Sequence, residues 1–283
     1  MKLLSTQSSQ VLAGEIALAG GFTIIDVKFS RFPDGETYIR TGEISDSVIL
    51  VGSLFTSEDF IELLLLIDAC TGADVTLILP YMGYARQDKQ FNAGEPLSAR
   101  AIARALGVGV SRVFTICIHE ESVLAHFGVP AQDILVSEEI SAYISAMHLN
   151  NPLVLSPDRG AAVFAKKVAD TCGYESDYLQ KTRVSGTEVR IEPKSIPVAG
   201  RDVVIVDDII STGGTQATAA EMLYQRGASH MYTICVHGVF TTGAYSHLKA
   251  AGFLDVVCTD TIERCCSRIS VAPAVIRALK GYI

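Results

Sequence analysis

The chain has 283 residues, 49% hydrophobic and 19% charged, with 23 Lys and Arg against 31 Asp and Glu, a formal net charge of −8. That balance excludes broad charge neutralisation of nucleic acid or of an anionic membrane, and the apolar content excludes a disordered chain. The length corresponds to roughly two domains of ordinary size. No apolar run approaches the roughly 18 residues of a membrane span, and the start turns polar at Ser5, so neither a transmembrane helix nor a secretory leader is expected. Seven scattered cysteines without a C-x-x-C disfavour a disulfide framework and a structural zinc site, and place the protein in a reducing cytoplasm. The adjacent Cys265 and Cys266 read as packed thiols.

In chain order, short β-branched runs predict strands at Val48 to Val51, Val75 to Leu79, Val113 to Ile118, Leu153 to Leu155, Val203 to Val206 and Met231 to Val236. Helical spacing lies between them. Pro96 to Leu106 opens on Pro and stops at Gly107, and Ala217 to Arg226 stops at Gly227. Gln180 to Pro197 is polar and weakly periodic and reads as a mobile excursion, a β-hairpin flap. Strands alternating with helices indicate an α/β protein with mainly parallel sheets. A shift of 155 residues places Val48 to Val51 over Val203 to Val206, Gly72-Ala73 over Gly227-Ala228 and Gly83 over Gly238. Such a match predicts a duplicated domain, with a seam near the polar Asn150-Asn151-Pro152 and a division into residues 1–148 and 149–283.

The densest chemistry lies in Val203-Val204-Ile205-Val206-Asp207-Asp208-Ile209-Ile210-Ser211-Thr212-Gly213-Gly214-Thr215. A buried strand ends in two carboxylates and runs into a hydroxyl- and Gly-rich turn that opens a helix, the strand-end crevice where α/β sheets bind ligands. Backbone amides and the helix start suit a phosphate, whereas the carboxylates would repel one and instead accept from vicinal sugar hydroxyls or hold a metal. Together they describe a sugar phosphate site. No G-x-x-x-x-G-K-[ST] occurs, and Arg112 interrupts the G-x-G-x-x-G begun at Gly107.

This segment resembles the phosphoribosyl diphosphate (PRPP) motif shared by type I phosphoribosyltransferases and PRPP synthetases. Arg31-Phe32-Pro33-Asp34-Gly35-Glu36, Pro80-Tyr81-Met82-Gly83-Tyr84-Ala85-Arg86-Gln87-Asp88 and Ser156-Pro157-Asp158-Arg159-Gly160 are similar to PRPP synthetase (ribose-phosphate diphosphokinase) signatures, in the family's order and over nearly the whole length. The resemblance implies two tandem type I phosphoribosyltransferase-like domains, each with a mainly parallel sheet flanked by helices, the first carrying the ATP-site residues and the second the ribose 5-phosphate loop. It implies transfer of the β,γ-diphosphoryl group of ATP to the C1 hydroxyl of ribose 5-phosphate, with Mg2+. By position, ATP falls to Arg86 and Gln87, with Phe32, Asp34, Gly35 and Glu36 reaching the adenine from a neighbouring subunit of a homo-oligomer, a dimer or hexamer. Ribose 5-phosphate falls to Asp207, Asp208, Ser211, Thr212, Gly213, Gly214, Thr215 and Arg183; magnesium to His119 and Asp158; and the catalytic cations to Lys181 and Arg183.

The chain departs from the common bacterial and animal pattern at Ser211 and Cys117, where Asp is usual, and in Asp88 to Pro96, which lacks the usual basic cluster. It is also shorter, closer to archaeal-type members. A phosphoribosyltransferase would need only one such domain and a base-binding hood. A silent regulatory subunit would lose the cations kept at Lys181 and Arg183.

Overall fold

The structure is a computed structural model that describes residues 1–183, 189–193, 197–241 and 243–282, with side chains described outside 181–196. The chain forms two compact units: Met1–Leu135 with Thr261–Glu263 and Ser270–Ile283, and Val136–Asp260 with Arg264–Ile269.

In the first unit β1 (Lys2–Ser5), α1 (Gln10–Gly20) and β2 (Thr23–Ile24) are followed by a hairpin of β3 (Val27–Arg31) and β4 (Thr37–Thr41). Then come β5 (Ser47–Val51), α2 (Ser57–Ala69), β6 (Asp74–Leu79), α3 (Ser98–Leu106), β7 (Arg112–Ile116) and β8 (Ala131–Ile134). The sheet has the order β2-β1-β5-β6-β7-β8 and is parallel throughout. Helices cover its strands, so β5 and β6 bury successive residues and read as continuous apolar runs. Leu50, Leu66, Leu77 and Leu106 share one core beneath α2 and α3. Burying each such side chain contributes roughly 1.5–3 kcal/mol.

The second unit begins with α4 (Ser137–Ala146), β9 (Leu153–Ser156), α5 (Ala162–Cys172), β10 (Glu175–Arg183) and β11 (Val189–Pro193). It continues with β12 (Asp202–Ile210), α6 (Gly214–Gln225), β13 (His230–Gly238), α7 (Ala244–Ala250), β14 (Asp255–Thr259) and β15 (Ser267–Ile269). Here the order is β11-β10-β9-β12-β13-β14-β15, parallel except for the antiparallel β10–β11 pair. Strand for strand, β1, β2, β5, β6, β7 and β8 correspond to β9, β10, β12, β13, β14 and β15, which is a duplicated topology. Gly72 and Gly227 both carry positive φ after their helices. The second connection is one residue longer: Val48 pairs with Val75, but Val203 pairs with Met231. The ungapped coincidence of Gly83 with Gly238 is therefore not a structural equivalence.

The units do not follow a division at 148/149. Residues 136–148 join the second unit, where α4 packs on α5 and Ser141 Oγ donates to Val168 O at 2.9 Å. The last helix, α8 (Ala272–Leu279), joins the first, packing on α1 and β8. Each helix buries its apolar stripe, Ile140 and Ile144 or Val275 and Leu279, where an uncovered face exists, and chain order does not decide it. None of the seven cysteines is in a disulfide; Cys266 is buried 3.7 Å from Cys258 Sγ to Sγ, whereas Cys265 is exposed rather than packed.

Candidate active site

In the second unit, the carboxyl ends of β9, β12 and β13 gather the polar residues. β12 carries Asp207 at its buried end, opposite Cys235 of β13, and Asp208 beside it is half-buried. Asp207 Oδ1 accepts from the Asp208 amide at 3.0 Å, and its Oδ2 from Gln216 Nε2 at 2.7 Å. Asp208 Oδ1 accepts from the Ile209 amide at 2.8 Å. Burial holds the Asp207 carboxyl well above the usual carboxylate range, and the nearby charges of Asp208 and Asp158 push it the same way.

Ser211 to Gly213 form the turn into α6, and Gly213 stands at the helix cap with φ +75°. A side chain there would be strained and would meet Leu248 at 3.0 Å, so glycine is the residue that lets the turn close. The first intrahelical bond runs from Ala217 N to Gly213 O at 2.9 Å, and helix geometry gives the amides ahead of it no intrahelical acceptor, an anion-binding arrangement. The turn is held from one side by the loop after β13: Phe240 N donates to Ile210 O and Thr241 N to Ser211 O, each at 3.0 Å. Arg264 pins that loop by donating Nε to Gly238 O and Nη2 to Val239 O, each at 3.0 Å.

Asp158 follows β9 and is exposed, its Oδ1 accepting from the Gly160 and Ala161 amides at 2.8 and 3.3 Å ahead of α5. Lys181 and Arg183 are the last residues of β10, in register with Ile191 and Val189; their side chains lie outside the described residues, as does most of the expected flap between them and β11.

In the first unit the ATP-signature residues flank the start of α2. Its Thr56–Asp59 capping box fixes that end: Thr56 Oγ1 accepts from Asp59 N at 3.2 Å while Asp59 Oδ2 accepts from Thr56 N at 2.6 Å. On one side the hairpin turn closes through Phe32 N to Glu36 O and Gly35 N to Phe32 O, each 2.9 Å, and Arg31 reaches Glu58 at 3.0 Å. Phe32, Asp34 and Glu36 are exposed, and Phe32 stacks edge-on to Tyr38 with centroids 5.5 Å apart. On the other side Tyr84 meets Ser57 at 2.8 Å, followed by exposed Arg86 and half-buried Gln87, whose Oε1 accepts from Ser98 Oγ at 2.6 Å. A guanidinium suits phosphate oxygens, and an exposed ring with nearby acceptors suits a purine edge.

His119 stands exposed beyond the end of β7, not in a core, after Cys117, which is buried with φ +42°. Among the described residues no group of three or more His, Cys, Asp or Glu is arranged to hold a metal ion. Magnesium is commonly held by one or two carboxylates with substrate phosphates and water, and the exposed carboxylate of Asp158 fits that mode.

Gln216 and Arg264 stand outside the sequence-predicted set. Gln216 is 3% exposed and adjoins the motif; a buried amide one residue past a Gly-rich turn is the signal that could have found it. Arg264 is distant in sequence, and only the fold brings it to β13.

Residues 1–108 match the model of the N-terminal domain of ribose phosphate pyrophosphokinase, and residues 132–264 that of the phosphoribosyl transferase domain. The chain is 47% identical over 285 residues to a ribose-phosphate pyrophosphokinase of Methanosarcina mazei, covering 100% of this chain and 96% of that one. A Methanosarcina acetivorans relative of the same name is 46% identical, at 99% of each chain. The fold matches the crystal structure of phosphoribosylpyrophosphate synthetase from Mycobacterium smegmatis with a TM-score of 0.84 and 26% identity, covering 99% of this chain and 97% of that one. Both halves of the sequence, and the duplicated sheets that carry the two groups of polar residues, place the chain in the ribose-phosphate pyrophosphokinase family.

Proposed function

We propose that the protein is a cytoplasmic ribose-phosphate diphosphokinase that uses ATP, ribose 5-phosphate and Mg2+ and works as a homo-oligomer with the adenine site shared between subunits. The C1 hydroxyl oxygen of the sugar bonds to the β-phosphorus of ATP, the bond from that phosphorus to the α,β-bridging oxygen breaks, AMP leaves with that oxygen, and the hydroxyl proton passes to solvent.

The observation that carries this reading is β12: a buried strand delivers Asp207 and Asp208 next to a glycine-closed helix start. The carboxylates accept from the ribose hydroxyls while Ser211, Thr212, Gly213, Gly214 and Thr215 hold the 5-phosphate through amides and hydroxyls. Arg86 and Gln87 bind the nucleotide phosphates, and Phe32, Asp34, Gly35 and Glu36 take the adenine. Lys181 and Arg183 stabilise the charge that shifts as the diphosphoryl group moves, the usual means of phosphoryl transfer. Asp158 would hold magnesium, a role the resemblance also gives to His119, and the ion would supply positive charge for the triphosphate.

Purified protein supplied with magnesium, ATP and ribose 5-phosphate should release AMP and PRPP in equal amounts. Absence of sugar-dependent AMP release would overturn the proposal.

A further inference from the structure

The carboxylate pair is not symmetric. Asp207 is 9% exposed, with one oxygen on the Asp208 amide and the other on Gln216 Nε2 at 2.7 Å, whereas Asp208 is half-buried. Gln216 is itself 3% exposed and lies in the first turn of α6, the helix whose start closes the phosphate turn. An amide can offer either end to a neighbour, but an ionised carboxylate only accepts, so presenting the nitrogen favours the charged form of Asp207. Two influences oppose that form, burial and the adjacent Asp208 charge.

We infer that Gln216 is a positioning residue for ribose 5-phosphate: its buried amide fixes the Asp207 carboxylate in place, so that sugar recognition depends on a side chain that itself lies behind the binding residues. This rests on the ribose site proposed above. The division of labour follows from exposure: Asp208 and the open edge of Asp207 face the sugar hydroxyls, and Gln216 holds the rear oxygen. Because Gln216 belongs to α6 and Asp207 to β12, the same bond ties the spacing between the carboxylates and the phosphate turn, which is the spacing between the two ends of the sugar phosphate.

Gln216→Met keeps length and helix propensity but removes the donor. A hydrogen bond to a buried charge accounts for about a tenfold or larger effect. The KM for ribose 5-phosphate should therefore rise roughly tenfold or more, with the KM for ATP within about twofold. In an Asp207→Asn background, whose amide no longer requires that donor, the same substitution should have little further effect. Equal losses in both backgrounds, or parallel rises in both KM values, would overturn the inference. If Gln216→Met does not fold, Gln216→Asn keeps the amide, shortens its reach and must show the same selective loss. An inactive wild-type protein would instead remove the proposed function, so the two failures are distinguishable.

Discussion

At Asp133, burial and hydrogen bonding act in opposite directions. The carboxylate accepts from Thr115 Oγ1 at 2.6 Å and from the Ile118 amide at 2.9 Å, yet burial pushes it up to about 6. An acid whose folded value lies above its unfolded one holds its proton better in the native state. Stability therefore falls as pH rises from about 4 to about 6, by at most about 3 kcal/mol, and stays lower above that window. Asp133→Asn keeps both acceptor contacts without the charge. It should be more stable than the wild type at pH 8 and nearly equal near pH 4 in urea unfolding; a less stable variant at pH 8 would show that the hydrogen bonds outweigh burial. The candidate ligand residues were legible because Asp, Gly and Ser in series at a strand end restrict the chemistry sharply. Gln216 and Arg264 were not, because their roles arise from burial and a fold-made approach that no local pattern encodes.

A glycine can mark a turn or an approach, and Gly107 marks the second. It follows α3 with ordinary helical φ, but a Cβ there would lie 1.8 Å from Phe127 O. Gly107→Ala should destabilise the protein by about 2 kcal/mol or more, since backbone must move to admit the methyl. Gly14→Ala, inside α1 with open space around it, should stabilise by about 0.5–1 kcal/mol, and thermal unfolding of the pair checks both. The six strands read from the sequence are present because burial on both faces leaves an unbroken apolar signature. The hairpin β3–β4 left no such run, since its residues are half-buried or exposed throughout. The start of α1 was equally hidden: its own preceding residue makes no side-chain cap, and the Val11 and Leu12 amides are bonded by Glu263 at 2.7 and 3.1 Å, some 250 positions away.

Duplication was legible across the whole molecule, but the ownership of the terminal helices was not. Two copies of one sheet topology repeat the local pattern, and a repeat cannot say which sheet a helix will cover. α8 contributes Val275 and Leu279, with Val271 just ahead of it, all fully buried, to the unit that contains α1. Truncation after Ile269 removes about 5 kcal/mol or more of burial, comparable with the stability of a whole domain. The truncated chain should lose cooperative unfolding of the first unit, followed by calorimetry; an unchanged melting temperature would show that α8 is dispensable. The same placement bears on biosynthesis. Residues 1–135 leave the ribosome first, but the helix that covers their α1 flank follows the whole of the second unit in the chain. The first unit must wait, with apolar surface open, until the second has been made, so it is completed only after its neighbour and the nascent chain is a natural client for holding chaperones.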